Sequence, residues 1–69
     1  MPYVHIRITD EGVTEEQKSQ LIEKTTDALS TVLDKDPATT FVIIEEVPLQ
    51  NWGIGGLPVE AYRNRKKHQ

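Results

Sequence analysis

The sequence feature that most constrains the fold is a continuous apolar run at residues 41–44, which reads Phe-Val-Ile-Ile. Successive side chains of a strand point to opposite faces, so this run predicts a strand that is covered on both faces. We expect the strand to extend over residues 39–47 and to end at Pro48. A chain of 69 residues without cysteine has no disulfides and only a small core. The run therefore predicts that copies of this chain associate.

An earlier segment, residues 2–9, alternates apolar and polar side chains, which is the pattern of a strand with one apolar face. Proline is permitted at the first position of such a strand because no ladder donor is needed there. The apolar face is predicted to carry Val4, Ile6 and Ile8, and the other face Tyr3, His5, Arg7 and Thr9.

The segment between the two strands predicts one long helix over residues 14–33. Thr14 and Gln17 have the spacing of a capping box, in which each side chain bonds the backbone N–H of the other residue. The helix is expected to end before Asp36, because a residue that precedes proline avoids the helical region. The following residues form a stripe with a period near 3.6: Leu21, Ile22, Thr25, Ala28, Leu29, Val32 and Leu33.

These elements predict an α/β fold, a small β-α-β protomer with parallel strands joined by a right-handed crossover. The turn-forming residues 50–58 indicate a short hairpin or loop, and residues 59–65 a helical turn. We expect one domain over residues 1–69. Because a two-stranded sheet is only marginally stable, the sheet is expected to be completed by dimerisation.

Charge and composition exclude several classes of function. The net charge is −3, and the basic residues concentrate near the carboxyl terminus, so the chain lacks the broad basic face that nucleic acid requires. No apolar run has the length of a membrane span, and no signal peptide is recognisable, so we expect a cytoplasmic protein. His5 and His68 are far apart, and no spacing predicts a metal site.

Pro2 is the unusual chemical group of this sequence. Removal of Met1, which is general when the second residue is small, would leave a free secondary amine. Terminal amines titrate nearer neutrality than lysine, and apolar surroundings lower their pKa further. Such an amine is a competent general base and can also attack a carbonyl carbon. A Met-Pro beginning is also common in proteins without this chemistry.

The order of motifs along the chain favours a catalytic role for Pro2. Met-Pro opening into a strand, then Glu-Gly, Thr-Glu-Glu-Gln-Lys, Phe-Val-Ile-Ile-Glu-Glu-Val and Asn-Trp-Gly-Ile-Gly-Gly resembles the 4-oxalocrotonate tautomerase family over roughly residues 2–63. The resemblance implies a four-stranded sheet in the dimer and commonly a hexamer of three dimers. It also implies keto–enol tautomerisation without a cofactor, with Pro2 as the general base.

The resemblance also implies roles for other positions. Trp52 stands where the family has an aromatic residue that walls the site, and Arg63 aligns with an arginine near the family's carboxyl terminus. Two family arginines that bind substrate carboxylates are replaced here by Val13 and Phe41. We therefore expect a substrate that carries less charge than a dicarboxylate.

The resulting hypothesis is a homo-oligomeric tautomerase that acts on a small enol or unsaturated keto acid. Pro2 is the predicted catalytic residue, and the predicted substrate-binding residues are Trp52, Arg63, Phe41 and Arg7. Arg7 would contribute from a neighbouring subunit, although packing against that subunit is the role that its position favours. Two alternatives remain open: a hydratase or dehalogenase that uses Pro2, and a non-catalytic oligomer of the same fold.

Overall fold

A computed structural model describes residues 1–67 of the chain, so His68 and Gln69 of the predicted domain lie outside the described residues. The fold is α/β, as predicted. Its elements are, in chain order, β1 (Tyr3–Thr9), α1 (Glu15–Leu33), a 3₁₀ turn (Pro37–Thr39), β2 (Phe41–Val47), a second 3₁₀ turn (Leu49–Asn51), β3 (Gly53–Ile54), β4 (Leu57–Pro58) and α2 (Val59–Lys67).

The two long strands are parallel, which confirms the β-α-β prediction. Their register pairs Tyr3 with Phe41 at one end and Thr9 with Val47 at the other. At the amino end the amide of Phe41 donates to the carbonyl of Pro2 at 3.0 Å, so pairing continues one residue beyond β1. β3 and β4 form a separate antiparallel hairpin, as the turn-forming residues predicted.

Local hydrogen bonds explain where α1 and β2 begin. Thr14 caps α1, because its hydroxyl accepts from the amide of Gln17 at 3.1 Å and its own amide donates to the Gln17 side chain at 3.0 Å. β2 begins two residues later than predicted, since the Asp36 carboxylate accepts the amide of Ala38 at 2.9 Å and holds the preceding residues in a 3₁₀ turn.

One face of the sheet packs against α1. Lys18 of α1 bonds Glu46 of β2 at 2.7 Å, which joins the two elements. The half-buried sheet residues on this side are Val4, Ile6, Ile8, Val42 and Ile44. The sheet does not cover the whole apolar stripe of α1. Four residues of the stripe remain 37–77% exposed: Leu21, Ile22, Val32 and Leu33.

The other face of the sheet is open within one protomer. Tyr3, Phe41 and Ile43 are 60%, 52% and 48% exposed, so the predicted covering of both faces is absent from the isolated chain. Among the residues whose burial the structure describes, Val59 is the only buried one.

The protomer is also extended for its length. Its radius of gyration is 16.0 Å, whereas a compact domain of this length has about 11 Å. It exposes 5402 Å², and a compact monomer of this size would expose about 4,400 Å². The excess, about 1,000 Å², is comparable to the ~800 Å² that each partner buries in a standard protein–protein interface.

Candidate active site

Pro2 lies at the amino end of β1 and is half-exposed. Its carbonyl accepts the amide of Phe41, which fixes the residue against β2. Met1 precedes the strand and is 86% exposed, so the peptide bond between the two residues lies at the surface. Removal of Met1 would place a secondary amine at the end of a hydrogen-bonded strand.

Phe41 is the predicted site residue that the structure brings close to Pro2. It pairs with Tyr3, the residue that follows Pro2, and its ring lies on the open face of the sheet. Position 41 therefore belongs to the same end of the sheet as the proposed base.

Trp52 and Arg63 belong to the opposite end. The carbonyl of Trp52 accepts the amide of Val59 at 2.8 Å, and Arg63 follows Val59 by about one turn of α2. Arg63 pairs with Glu11, which follows the carboxyl end of β1. A strand of seven residues extends about 20 Å, so one protomer does not unite these residues with Pro2.

The Arg63 guanidinium is occupied by the Glu11 carboxylate. Nη1 of Arg63 donates to one carboxylate oxygen, and Nη2 donates to the other at 3.3 Å. The hydroxyl of Thr9 donates to the same carboxylate. The hydrogen bond from Arg63 is the main cause that lowers the pKa of Glu11 to about 2, and the Thr9 hydroxyl adds to it. The same pairing raises the pKa of Arg63.

Arg7 has a different environment on the open face. Oε1 of Glu45 accepts from Nε of Arg7 at 2.9 Å and lies 2.9 Å from Nε2 of His5. Glu45 therefore holds Arg7 through one edge of its guanidinium. The hydrogen bonds within residues 1–67 leave the two Nη groups of Arg7 without a protein acceptor.

A groove of about 440 Å³ lies between α1 and the carboxyl end of β1. It contains none of the predicted catalytic or substrate-binding residues, but Val13 contributes to its wall. The groove is lined by Ile8, Val13, Gln17, Gln20, Leu21 and Lys24.

Sequence reasoning did not pair either candidate cation with the carboxylate that holds it. Glu45 lies on the face of Arg7 because the strand register pairs the two residues, and that register is visible only in the fold. Glu11 and Arg63 are 52 positions apart, and no local pattern connects them. No group of three His, Asp or Glu side chains within the described chain is arranged to hold a metal ion.

The family model described as Tautomerase enzyme matches residues 2–62. "Probable tautomerase K2" of Dickeya dadantii is 57% identical over 65 residues, which cover 94% of this chain and 97% of that protein. The 2-hydroxymuconate tautomerase of Comamonas testosteroni is 44% identical over 57 residues, which cover 83% of this chain and 89% of that protein. The chain belongs to the tautomerase family, and its relatives are named as enzymes that catalyse isomerisation.

Solved structures confirm the fold. The DmpI structure from Helicobacter pylori superposes with a TM-score of 0.85 at 43% identity and covers 91% of this chain and 97% of that one. A heterohexamer 4-oxalocrotonate tautomerase from Chloroflexus aurantiacus superposes with a TM-score of 0.79 at 30% identity, covering 87% of this chain and 95% of that one. Within residues 1–67, no helix has the length and apolar character needed to cross a bilayer.

Proposed function

We propose that this protein is a cofactor-independent keto–enol tautomerase in which Pro2, after removal of Met1, is the general base. The observation that carries the proposal is the position of Pro2. Its carbonyl is bonded into the sheet by Phe41, while the residue that precedes it is exposed. The backbone therefore positions the nitrogen, and processing would make it available.

The proposed reaction is a proton transfer between oxygen and carbon of one small molecule. The neutral amine of Pro2 takes the proton of the enol hydroxyl, and the electron pair of that O–H bond forms the carbonyl while the conjugated double bonds shift. The resulting prolinium returns the proton to carbon and regenerates the base. The negative charge that develops on oxygen requires a nearby cation or hydrogen-bond donor.

The geometry of the protomer supports a site shared between subunits. Pro2 and Phe41 lie at one end of the sheet, whereas Trp52 and Arg63 lie at the other. A neighbour in the opposite orientation would place its own Trp52 beside Pro2, where the indole would exclude water from the amine. Arg7 of a neighbour would supply positive charge, because its Nη groups remain available.

The proposed assembly is a homo-oligomer, with a hexamer of three dimers as the preferred form. The open face of the sheet and the excess exposed area support association. The Chloroflexus aurantiacus relative, which is described as a heterohexamer, supports six chains.

The proposed substrate is an enol or unsaturated keto acid with less charge than a dicarboxylate. Val13 and Phe41 supply no charge where the family has arginine, and Arg63 is already paired with Glu11. Because the proposed reaction needs only a small dissolved metabolite, a cytoplasmic location fits it.

The test combines mass spectrometry with a screen of small enols and keto acids. We expect the purified chain to lack Met1 and to ketonise phenylenolpyruvate, and Pro2→Ala to lose about 10²–10⁴-fold of the turnover. Pro48→Ala is the matched control, because it changes a proline that ends β2. Unchanged turnover in Pro2→Ala would contradict the proposal.

The same screen separates the alternatives. If the protein ketonises no enol but hydrates or dehalogenates an unsaturated acid, and if that activity depends on Pro2, the hydratase or dehalogenase hypothesis would be favoured. A folded oligomer that turns over none of these substrates would favour a non-catalytic member of the family.

A further inference from the structure

Two exposed aromatic residues are strand neighbours at the end of the sheet that carries Pro2. Tyr3 follows Pro2 directly, and the parallel register pairs it with Phe41 on the neighbouring strand. Both side chains lie on the open face, and both remain more than half exposed in the protomer. The amide of Phe41 is also bonded to the carbonyl of Pro2, so the backbone fixes the three residues relative to one another.

The spacing of these two residues suits one planar ligand. Register partners on adjacent strands lie about 4.8 Å apart, and aromatic rings attract one another when their centres are about 4.5–7 Å apart. A ligand ring placed over the pair can therefore contact Tyr3 and Phe41 together.

The ring of Tyr3 is itself held by a neighbour on the open face. Its centre lies 6.2 Å from the centre of the His5 imidazole, at an interplanar angle of 52°. Nε2 of that imidazole lies 2.9 Å from Oε1 of Glu45, which fixes the orientation of His5. His5 therefore limits the directions in which the Tyr3 ring can turn.

We propose that Tyr3 and Phe41 form an aromatic surface that binds a ring-bearing substituent of the substrate, so that the enzyme prefers aryl enols to alkyl or vinyl enols of the same charge. This inference rests on the proposed function, because it assigns the end of the sheet at Pro2 to the reacting atoms. It makes Tyr3 a specificity-determining residue of that site.

The physical basis is the removal of apolar surface from water. A phenyl ring that covers the two exposed side chains buries more apolar area than a vinyl or methyl group does. Contact between aromatic rings adds to this gain. We expect each ring of the surface to change selectivity by about three- to tenfold.

A second copy of the chain is the other occupant that these rings could have. The middle of the open face, where Ile43 lies, is expected to pack on a neighbour, whereas the two rings belong to the end of that face. An interface that covered both rings would also cover Pro2, because Tyr3 and Phe41 are its neighbours in sequence and through the backbone hydrogen bond. A site that admits a small molecule to Pro2 therefore leaves this end accessible.

The kinetic experiment uses two enols that each carry one carboxylate. Phenylenolpyruvate has a phenyl ring, and 2-hydroxypenta-2,4-dienoate has a vinyl group instead. The kcat/KM ratio of the aryl enol to the vinyl enol is expected to fall about three- to tenfold in Tyr3→Leu and in Phe41→Leu, mainly through a higher KM for phenylenolpyruvate. Tyr3→Phe retains the ring and should keep the parent ratio. An equal fall in Tyr3→Phe would assign the effect to the hydroxyl and overturn the inference.

A binding measurement without turnover separates this inference from the proposed function. trans-Cinnamate and crotonate are the same unsaturated acid with a phenyl ring or a methyl group, and neither has an enol hydroxyl. NMR titration of the parent should give a lower Kd for cinnamate, and Tyr3→Leu should reduce this preference at least threefold. If no enol were turned over while the preference still fell, the proposed function would fail and the aromatic surface would stand. If Pro2 proved to be the base while the preference did not change, only the aromatic surface would fail.

Two controls make the result specific. Val32→Ala removes apolar surface from an exposed position of α1 and should leave both preferences unchanged. Sedimentation of each variant detects the other occupant, because altering a ring that packs on a second copy would weaken assembly. If only Tyr3→Leu dissociates, Phe41→Leu carries the test. Dissociation of both variants, a change below threefold in both readouts, or an equal change in Val32→Ala would overturn the inference.

Discussion

The amide of Phe41 lies 3.0 Å from the carbonyl oxygen of Pro2. This hydrogen bond makes the proposed base and Phe41 neighbours within one chain. It uses only backbone atoms, so substitution at position 41 leaves it intact. The chemistry beside Pro2 can therefore be changed without moving the strand that holds it.

We predict that the open face of the sheet is an interface between copies of the chain. Ile43 lies on this face and is 48% exposed in the protomer. Lysine there would place a charge against apolar surface, and an unpaired buried charge costs several kcal/mol after relaxation. Sedimentation at micromolar concentration should show that Ile43→Lys dissociates a parent assembly that is a multiple of the dimer.

The control for that measurement is Thr31→Lys, which adds the same charge to an exposed position of α1. It is expected to sediment with the parent. A parent protein that sediments as a folded monomer would show that the open face needs no partner.

Trp52 is predicted to keep the amine of Pro2 neutral. An apolar wall disfavours the protonated amine and lowers its pKa. Trp52→Ala should therefore move the acidic limb of the kcat/KM profile to higher pH, with about tenfold less activity on that limb for each pH unit. Trp52→Phe retains an apolar ring and should keep the parent profile. An unmoved limb in Trp52→Ala would place the indole outside the site.

The ion pair between Glu11 and Arg63 predicts a loss of stability in acid. Hydrogen bonds from Arg63, which is the main cause, and from Thr9 lower the pKa of Glu11 from 4.5 to about 2, so the folded state binds fewer protons there than the unfolded state. The stabilisation is fully present above pH 4.5 and is lost as the pH falls toward 2.

Thermal unfolding of Arg63→Ala and the parent between pH 6 and pH 2.5 tests this prediction. The difference in Tm should be largest at pH 6 and should narrow below pH 4. Arg65→Ala is the matched control, because Arg65 is exposed and has no acidic partner among the described residues. A difference that stays constant over this range would mean that Arg63 stabilises the protein by other contacts.

Most of the protomer fold could be predicted because it depends on local signals. The capping box at Thr14 fixed the start of α1, and alternation fixed the faces of β1. The start of β2 was harder to predict from the sequence. The amide of Ala38 donates to the Asp36 carboxylate, and the resulting 3₁₀ turn includes a residue that the sequence pattern alone assigns to the strand.

The site was less predictable because its contacts depend on the register of the strands and on distant parts of the chain. The sequence identified Pro2, Phe41, Arg7 and Arg63 as candidates but gave no sign that Glu11 holds Arg63. The separation of Trp52 from Pro2, in contrast, follows from the parallel pairing that the sequence predicted.

Phe41 is predicted to disfavour substrates that carry a second carboxylate. A carboxylate that enters an apolar pocket loses its water, and leaving it unpaired costs several kcal/mol. An arginine offsets that loss through a bidentate, charge-assisted pair. Phe41 provides no such pair, so we expect this enzyme to prefer phenylenolpyruvate over 2-hydroxymuconate in kcat/KM. A tenfold preference for the dicarboxylate, equivalent to about 1.4 kcal/mol, would contradict this expectation.

Phe41→Arg should then raise kcat/KM for the dicarboxylate, because the new guanidinium would lie on the strand that is bonded to Pro2. Phe41→Leu is the matched control, since it removes the ring without adding charge and should give no gain for the dicarboxylate. Thr31→Arg adds the same charge at an exposed position of α1, away from the open face of the sheet. An equal gain in that variant would mean that net charge, rather than proximity to Pro2, attracts the second carboxylate. A gain confined to Phe41→Arg would show that position 41 faces the substrate.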